Sequence, residues 1–357
     1  MAALTFRLLA FAVLVPSWPN FGHPLKYAVG REPSGIALAD LNGDGKVDVV
    51  TANYGSNSVS VLFGEGGGRF GSRTDYRTAG TPEDVVITDL NSDRKPDLVT
   101  ANHTHGISVL LGRGRGRFRT KLDHKTVGDT WSVAAADLNG DRKPDLVTGN
   151  YGSGVSVLIG HGDGTFRKPI ELALSQAVWV VLRDFSGDRK LDLATANFDG
   201  TVSVLLGIGN GSFRKAISYS SGATNSAFIT TTDLDGDGRL DLVTGNDGAR
   251  SISVLLGRGH GAFAKAVAYD AGKTHWLAVA DLNGDQKPEL ISSDVSSPVL
   301  RIRLGQGNGR FGSVRTYPVG AVQEGVVPVD LNGDTKPDLV VAGNGNRSLE
   351  VFLNTTR

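Results

Sequence analysis

A chain of 357 residues is long enough for one large domain or two ordinary ones, and its 37 basic residues balance 37 acidic ones, which excludes the strongly basic footprint of a nucleic-acid-binding protein. The absence of cysteine excludes a disulfide framework and thiol chemistry. Forty-eight glycines, far above an average share, imply many tight turns.

The N-terminus reads MAALTFRLLAFAVLVPSWP. Arg7 precedes an apolar run from Leu8 to Val15, which Pro16 ends. This outlines a short secretory leader over residues 1–20, although an A-x-A cleavage site is missing. The alternative is an apolar strand. The run is too short for a membrane-spanning helix, which takes about 20 apolar residues. The expectation is a secreted or cell-surface protein without a membrane span.

From Asp40 onward one nine-residue pattern keeps returning. It reads DLNGDGKVD at Asp40, DLNSDRKPD at Asp89, DLNGDRKPD at Asp137 and DFSGDRKLD at Asp184. It comes back as DLDGDGRLD at Asp233, DLNGDQKPE at Asp281 and DLNGDTKPD at Asp330, with spacings of 47 to 49 residues. A period in this range predicts a propeller or a solenoid. An apolar run precedes each loop, as in SVAAADL ending at Leu138. PDLVTGN and GVSVLIG follow, then a glycine hairpin, GHGDGTF, and a more polar segment after Phe166. Each unit thus offers four short β-segments, A to D, and none shows a sustained helical period. The predicted fold is all-β: a seven-bladed β-propeller of four-stranded blades over residues 21–357.

The two ends of the chain sharpen this. SLEVFLNTTR stops after a C segment, while NFGHPLKYAVGREP aligns with RFGSRTDYRTAGTP, which runs through a D segment. Residues 21–29 are therefore expected to supply the seventh D strand against the segment near Leu349–Leu353, closing the ring and covering an edge.

The repeated loops carry oxygen ligands at positions 1, 3, 5 and 9. The sets are Asp40, Asn42, Asp44, Asp48; Asp89, Asn91, Asp93, Asp97; Asp137, Asn139, Asp141, Asp145; and Asp184, Ser186, Asp188, Asp192. The remaining three are Asp233, Asp235, Asp237, Asp241; Asp281, Asn283, Asp285, Glu289; and Asp330, Asn332, Asp334, Asp338. Hard oxygen donors in a flexible loop suit Ca²⁺, and no His or Cys is present to favour zinc. Position 12 is Thr51, Thr100 or Thr148 rather than a bidentate Glu, so these are not EF-hands. The competing account is that the loops form Asx turns without metal. Crowded carboxylates repel without a cation, which favours Ca²⁺, up to seven ions, one per blade. Ser186 and Glu289 depart from the pattern, and their sites are expected to be the weakest.

Loops of this form between apolar strands, with this period and with a Phe-Gly such as Phe70-Gly71 nearby, resemble the FG-GAP/VCBS repeats of integrin α-subunit propellers and of bacterial secreted proteins. The resemblance implies seven blades with Ca²⁺ between the first two strands, and binding roles more than a shared chemistry. The long insertions and partner domains of integrins are missing, which puts an integrin-like adhesion role in doubt.

Glycine stretches such as GRGRGRF and GEGGGRF read as hairpin turns, because no helix follows to make a phosphate loop. No nucleophile elbow or metalloprotease motif is found. Function is expected where the units differ. Six residues before each loop Asp stand Ser34, Glu83, Trp131, Val178, Ala227, His275 and Glu324. One residue further stand Gly35, Asp84, Ser132, Trp179, Phe228, Trp276 and Gly325. The B–C turns add Tyr54, His103, His105, Tyr151 and Phe198. This predicts a ligand mouth opposite the acidic loops, with Trp131, Trp179 and Trp276 partly exposed and His275, Glu83, Asp84 and Glu324 beside them. The competing account is that the indoles fill gaps between blades. The expected function is a monomeric, non-catalytic binding module for a glycan or protein ligand. A polysaccharide lyase or hydrolase and a structural adhesion protein are the alternatives.

Overall fold

Branched residues crowd the B and C segments, and such side chains fit a pleated, packed strand. In the computed structural model, which describes residues 18–356, these segments form the two middle strands of seven four-stranded antiparallel sheets. Blade 1 consists of strand A, Pro33–Ala39, strand B, Asp48–Asn53, strand C, Ser58–Leu62, and strand D, Thr74–Arg77. The A strands of blades 2 to 7 are Pro82–Thr88, Asp129–Ala136, Ala177–Arg183, Ser226–Thr232, Leu277–Ala280 and Gln323–Val329. Strands B and C of blade 1 are buried along their whole length while strand D is mostly exposed. Neighbouring blades cover both faces of B and C, so these strands read as near-continuous apolar runs rather than as alternating ones. The helical segments among the described residues are the single 3₁₀ turns Tyr54–Ser56 and Asn344–Asn346.

The ring closes as the sequence predicts. Leu25–Ala28 adds to the outside of blade 7 against Ser348–Phe352, pairing Leu25 with Val351 and Tyr27 with Leu349, and a further bridge joins Phe21 to Asn354. The closing pair differs chemically from the others. In blades 1 to 3 a buried C-strand serine donates to a D-strand acid, as Ser60 does to Asp75 at 2.7 Å. In blade 7 the corresponding residue is Glu350, fully buried, which meets Lys26 at 3.1 Å and accepts the Gly320 amide at 3.0 Å. A one-residue slip of the closing strand would strand that buried charge, so the pair fixes the register. The leader expected over residues 1–20 lies, through residue 17, outside the described residues. Pro19 and Asn20 already bond to the body: Tyr317 Oη donates to the Pro19 carbonyl at 2.6 Å and the Thr355 amide to that of Asn20 at 2.7 Å.

Adjacent blades are also joined on one face. The C–D hairpin of one blade donates an amide to the A–B loop of the blade before it, from Gly116 to Leu41 at 2.9 Å and from Gly211 to Leu138 at 3.1 Å. The A–B loops and C–D hairpins therefore form one rim, and the D–A and B–C connections form the opposite mouth.

Candidate functional site

The rim is built from seven nearly identical self-satisfied loops. In blade 1, Asp40 Oδ1 accepts the Gly43 amide at 2.7 Å and its Oδ2 that of Gly45 at 2.8 Å. Asn42 accepts the Asp44 amide at 2.8 Å, and Asp44 that of Lys46 at 2.9 Å. The same bonds recur around Asp137, Asn139 and Asp141 and around Asp330, Asn332 and Asp334. Slight burial pushes the Asp40 carboxyl up, but the surrounding amides outweigh it and hold it below the ordinary value.

Position 9 has a different task. Asp97 is fully buried, and its two oxygens accept the Leu90 amide at 2.8 Å and the Gly112 amide at 2.6 Å. It thereby ties the A–B loop to the start of the C–D hairpin. Asp48, Asp145, Asp192 and Asp241 do the same in their blades, while Asp338, in the blade without that hairpin, accepts the Leu331 and Asn354 amides and ties the A–B loop to the end of strand C. Burial pushes the Asp97 and Asp241 carboxyls up to about 6 against the pull of these amides.

The two departures from the pattern have visible consequences. Glu289 Oε2 keeps the Leu282 amide at 2.8 Å, but Oε1 is buried without a hydrogen-bond partner, and burial raises the carboxyl to about 7. Ser186 accepts the Asp188 amide only at 3.4 Å. In blade 5, where position 3 is also an acid, oxygens of Asp233, Asp235 and Asp237 all lie within 4.8 Å of one another. Such a convergent oxygen set fits a hard cation.

The mouth is as varied as the rim is uniform. Ser34, Glu83, Trp131, His275 and Glu324, each six residues before the first aspartate of its rim loop, line a cavity of ≈ 310 Å³ with Glu32, Tyr54, His103 and Asn344. Glu83 accepts the Ser34 hydroxyl at 2.6 Å and faces His103 Nε2 at 3.4 Å. Burial pushes its carboxyl up, but His103, the charge of His275 and the Ser34 hydroxyl outweigh burial and hold it below the ordinary value. His275 Nδ1 lies 2.9 Å from Glu324, which also accepts from the Asn344 side-chain Nδ2 at 3.0 Å. Burial alone would lower the imidazole, yet Glu324, with Glu83 and Asp247 beyond it, raises it to about 9, so His275 is a cation at neutral pH. Oxygens of Glu83 and Glu324 and a nitrogen of His275 lie within 4.8 Å of one another.

Trp131 is the half-buried wall of this cavity. Its ring meets His103 at 5.0 Å, Phe198 at 5.5 Å, His275 at 6.0 Å and Tyr151 at 6.1 Å, and Tyr54 stands edge-on to His103 at 5.1 Å. The Trp131 Nε1 atom is buried and has no hydrogen-bond partner among the described residues.

The other two tryptophans correct the sequence expectation. Trp179 and Trp276 are only 7 % and 5 % exposed, and with Phe228 they form a mutual stack at centroid distances of 4.5–4.9 Å. They stand one residue further along their repeats than Trp131 and pack into the core shared by blades 4 to 6. Across the ring the same position is Gly35 or Gly325. A Cβ on Gly35 would come within 2.7 Å of the Glu83 carbonyl, and one on Gly325 would collide with that of Ser34. Large rings fill the side where the blades leave space, and glycines occur where backbones touch. Asp84 is also inside: its carboxylate accepts the Val85 amide at 2.8 Å and the Val133 amide at 3.1 Å, joining blade 2 to blade 3, and burial raises it to about 7.

Of the expected mouth residues, Trp131, His275, Glu83 and Glu324 therefore share one cavity, while Trp179, Trp276 and Asp84 are interior. Glu32 and Asn344 were not singled out from the sequence. Asn344 could have been, because GNGNRS aligns with NYGSNS, which places it opposite Tyr54, and both residues start a 3₁₀ turn.

A family model described as FG-GAP-like repeat matches six overlapping spans, residues 40–100, 89–148, 137–193, 184–244, 233–292 and 281–341. No curated protein matches by sequence. Among solved structures, BBS1N in complex with ARL6DN is 14 % identical with a TM-score of 0.64, over 93 % of this chain and 96 % of that one. Virginiamycin B lyase from Staphylococcus aureus is 12 % identical with a TM-score of 0.62, over 93 % and 99 %. An Agrocybe aegerita lectin that recognises non-reducing terminal N-acetylglucosamine is 19 % identical with a TM-score of 0.55, over 84 % and 91 %. At these identities the likeness is one of fold.

Proposed function

The chain belongs to the FG-GAP-like repeat family, and from that premise we propose that it is a secreted or cell-surface, monomeric, non-catalytic binding module that takes a glycan at the mouth, on a scaffold stiffened by Ca²⁺ at the rim. The observation that carries the reading is Trp131: a half-buried indole on the wall of a ≈ 310 Å³ cavity, with an N–H that lacks a partner among the described residues. A saccharide lays apolar C–H faces on such a ring, while a hydroxyl oxygen accepts the indole N–H. Glu83, Glu324 and Glu32, which line the cavity, then accept sugar hydroxyls. The related folds are compatible with this: one recognises a terminal sugar, and another is seen with a protein partner. Among the described residues no helix is long and apolar enough to cross a membrane.

Ca²⁺ would be held by the position 1, 3 and 5 side chains, for which Asp233, Asp235 and Asp237 have the best-matched oxygens. Bound there, the ion supplies charge neutralisation to a loop otherwise dense in carboxylates. It should raise the melting temperature by mass action, and an unchanged melting curve on chelation argues against it.

The test of the mouth is a saccharide panel that includes N-acetylglucosamine, read by calorimetry. A response that Trp131→Ala abolishes, with melting unchanged, supports the reading. No response from any saccharide overturns it. The Glu83–His103 and His275–Glu324 pairs favour one second reading, acid–base cleavage of a bound polymer. Release of unsaturated or reducing ends from the same panel would replace the binding module with a lyase or hydrolase.

A further inference from the structure

Six of the seven blades carry a hairpin G-x-G-x-G-x-F between strands C and D, and its three variable positions show what the turn itself requires. They are Glu65, Gly67 and Arg69 in blade 1; His161, Asp163 and Thr165 in blade 3; Ile208, Asn210 and Ser212 in blade 4. In blade 5 they are Arg258, His260 and Ala262, and in blade 6 Gln306, Asn308 and Arg310. Acid, amide, hydroxyl and apolar residues all serve, so the hairpin fold dictates none of them. Blade 2 alone has arginine at all three: Arg113, Arg115 and Arg117.

These arginines are exposed, and together they line a groove of ≈ 780 Å³ between blades 1 and 2, floored by Phe63, Tyr76 and Phe118. None of the three guanidinium groups makes an ion pair or a side-chain hydrogen bond among the described residues. The nearby acids are engaged elsewhere: Asp75 with Arg73 and Ser60, Asp123 with Lys121 and Ser108, and Asp44 with Lys46 and its own loop amides. Three unpaired guanidiniums around one concave, partly aromatic surface make a receptor for anionic groups, because each offers a planar fork of donors to a sulfate or carboxylate.

The surroundings decide what carries those anions. The hairpin docks on the acidic A–B loop of blade 1 through the Gly116–Leu41 bond, and six further acidic loops follow around the same rim. A nucleic acid, with a charge about every 1.7 Å of a duplex or 3.4 Å of one strand, would run from the arginines into carboxylates. A saccharide with spaced anionic groups would not, and its ring faces suit Tyr76 and the phenylalanines. We propose that the groove of blade 2 is a second ligand site, for an anionic polysaccharide, on the face opposite the mouth.

The proposal does not depend on the mouth reading. The test uses the full chain with dextran sulfate and alginate as the sulfated and carboxylated probes, and neutral dextran and polyuridylate as comparators. The variant is Arg113→Gln, Arg115→Gly, Arg117→Ala, which takes residues that the other blades already hold at these positions; Gly67 shows the same left-handed backbone as Arg115. Binding of either anionic saccharide, steeply weakened by salt, should fall at least about a hundredfold in the variant with melting unchanged. Equal affinity of variant and parent, or binding of neutral dextran as tight as that of the charged forms, overturns the site. Binding of polyuridylate as tight as that of dextran sulfate overturns the saccharide and makes the groove a nucleic-acid contact. If the triple variant fails to fold, Arg113→Gln with Arg117→Ala alone reads the same loss in smaller measure, and no loss there overturns the site.

Discussion

The two faces of the ring use the same strands to opposite ends. At the rim, seven loops repeat one set of hydrogen bonds almost atom for atom, as between Asp40, Asp137 and Asp330. At the mouth, the position six residues before each loop aspartate is a serine, two glutamates, a histidine, a tryptophan, a valine and an alanine. Where sequence repeats, the side chains satisfy the backbone of their own blade. Where sequence varies, side chains reach between blades, as Ser34 does to Glu83 and His275 to Glu324. Repetition marks scaffold, and variation marks the surface available for recognition.

Breaking the ring tests whether the faces are separable at all. Deletion of residues 18–28 removes the closing strand, exposes the edge of Ser348–Phe352 and takes Lys26 from Glu350. Loss of the half-exposed Lys26 partner weakens the site of Glu350, and the open edge invites pairing with other chains. The expected outcome is loss of cooperative melting and the appearance of oligomers in size-exclusion chromatography. A monomer with parental melting would show that the blades stand without closure.

Within the rim, the next comparison sets position 9 against position 5. Asp145 serves two amides from the interior, Leu138 at 3.0 Å and Gly160 at 2.8 Å, whereas Asp141 is exposed and serves that of Lys143 at 2.9 Å. Asp145→Ala orphans two buried donors and should cost about 3 kcal/mol in a denaturant titration, while Asp141→Ala should cost less than about 1 kcal/mol in chelator. Equal effects would mean that the interior tie is not what holds the loop.

At the mouth, a cation gives a pH signature in a higher window than the buried rim carboxyls, which are raised to about 6 at Asp97 and about 7 at Glu289. The His275 imidazole is raised from 6.5 to about 9 in the folded protein. Its contribution to stability is therefore complete below pH 6.5 and lost as pH rises through 9, with a slope of up to about 1.4 kcal/mol per pH unit. His275→Gln should lower stability at pH 6.5, converge on the parent above pH 9 and leave calcium-dependent melting intact. A parallel offset at all pH values would show that the ring packs there but holds no charge.

The fold was legible because the signal was repeated: period, loop motif and the alignment of NFGHPLKYAVGREP with a D-strand unit each pointed to seven closed blades. The position 1, 3 and 5 oxygens could be read from spacing as well. Their distinction from position 9 could not, since an aspartate that accepts interior amides and one that faces outward look alike in sequence. The mouth was half legible. Strand polarity put Trp131, Trp179 and Trp276 on one side of the ring, but the place in the repeat differs by one residue between Trp131 and the other two. That single step, with Gly35 and Gly325 opposite, decides between a ligand wall and a packed core.

The smallest effect concerns a flaw in the repetition itself. Position 6 of every rim loop takes a left-handed backbone, at φ 80° for Gly45, 83° for Gly238, 62° for Arg94 and 69° for Thr335. Glycine adopts this region freely, whereas a β-branched residue does so only with strain. Thr335 is the one β-branched residue among the seven, and its amide donates to Asp330 Oδ2 at 2.8 Å, so the geometry is imposed by the loop rather than chosen by the side chain. Left-handed backbone costs a non-glycine residue about 1–2 kcal/mol, and glycine loses about 0.5–1 kcal/mol more chain entropy on folding. Thr335→Gly should therefore stabilise blade 7 by roughly 0.5–1 kcal/mol, read as a higher denaturant midpoint with unchanged slope. The same change at Arg94, which has no branched Cβ, should gain less. A loss at Thr335 would show that its side chain makes an interaction at the rim that outweighs the strain, and the rim would then carry recognition of its own in the blade that closes the ring.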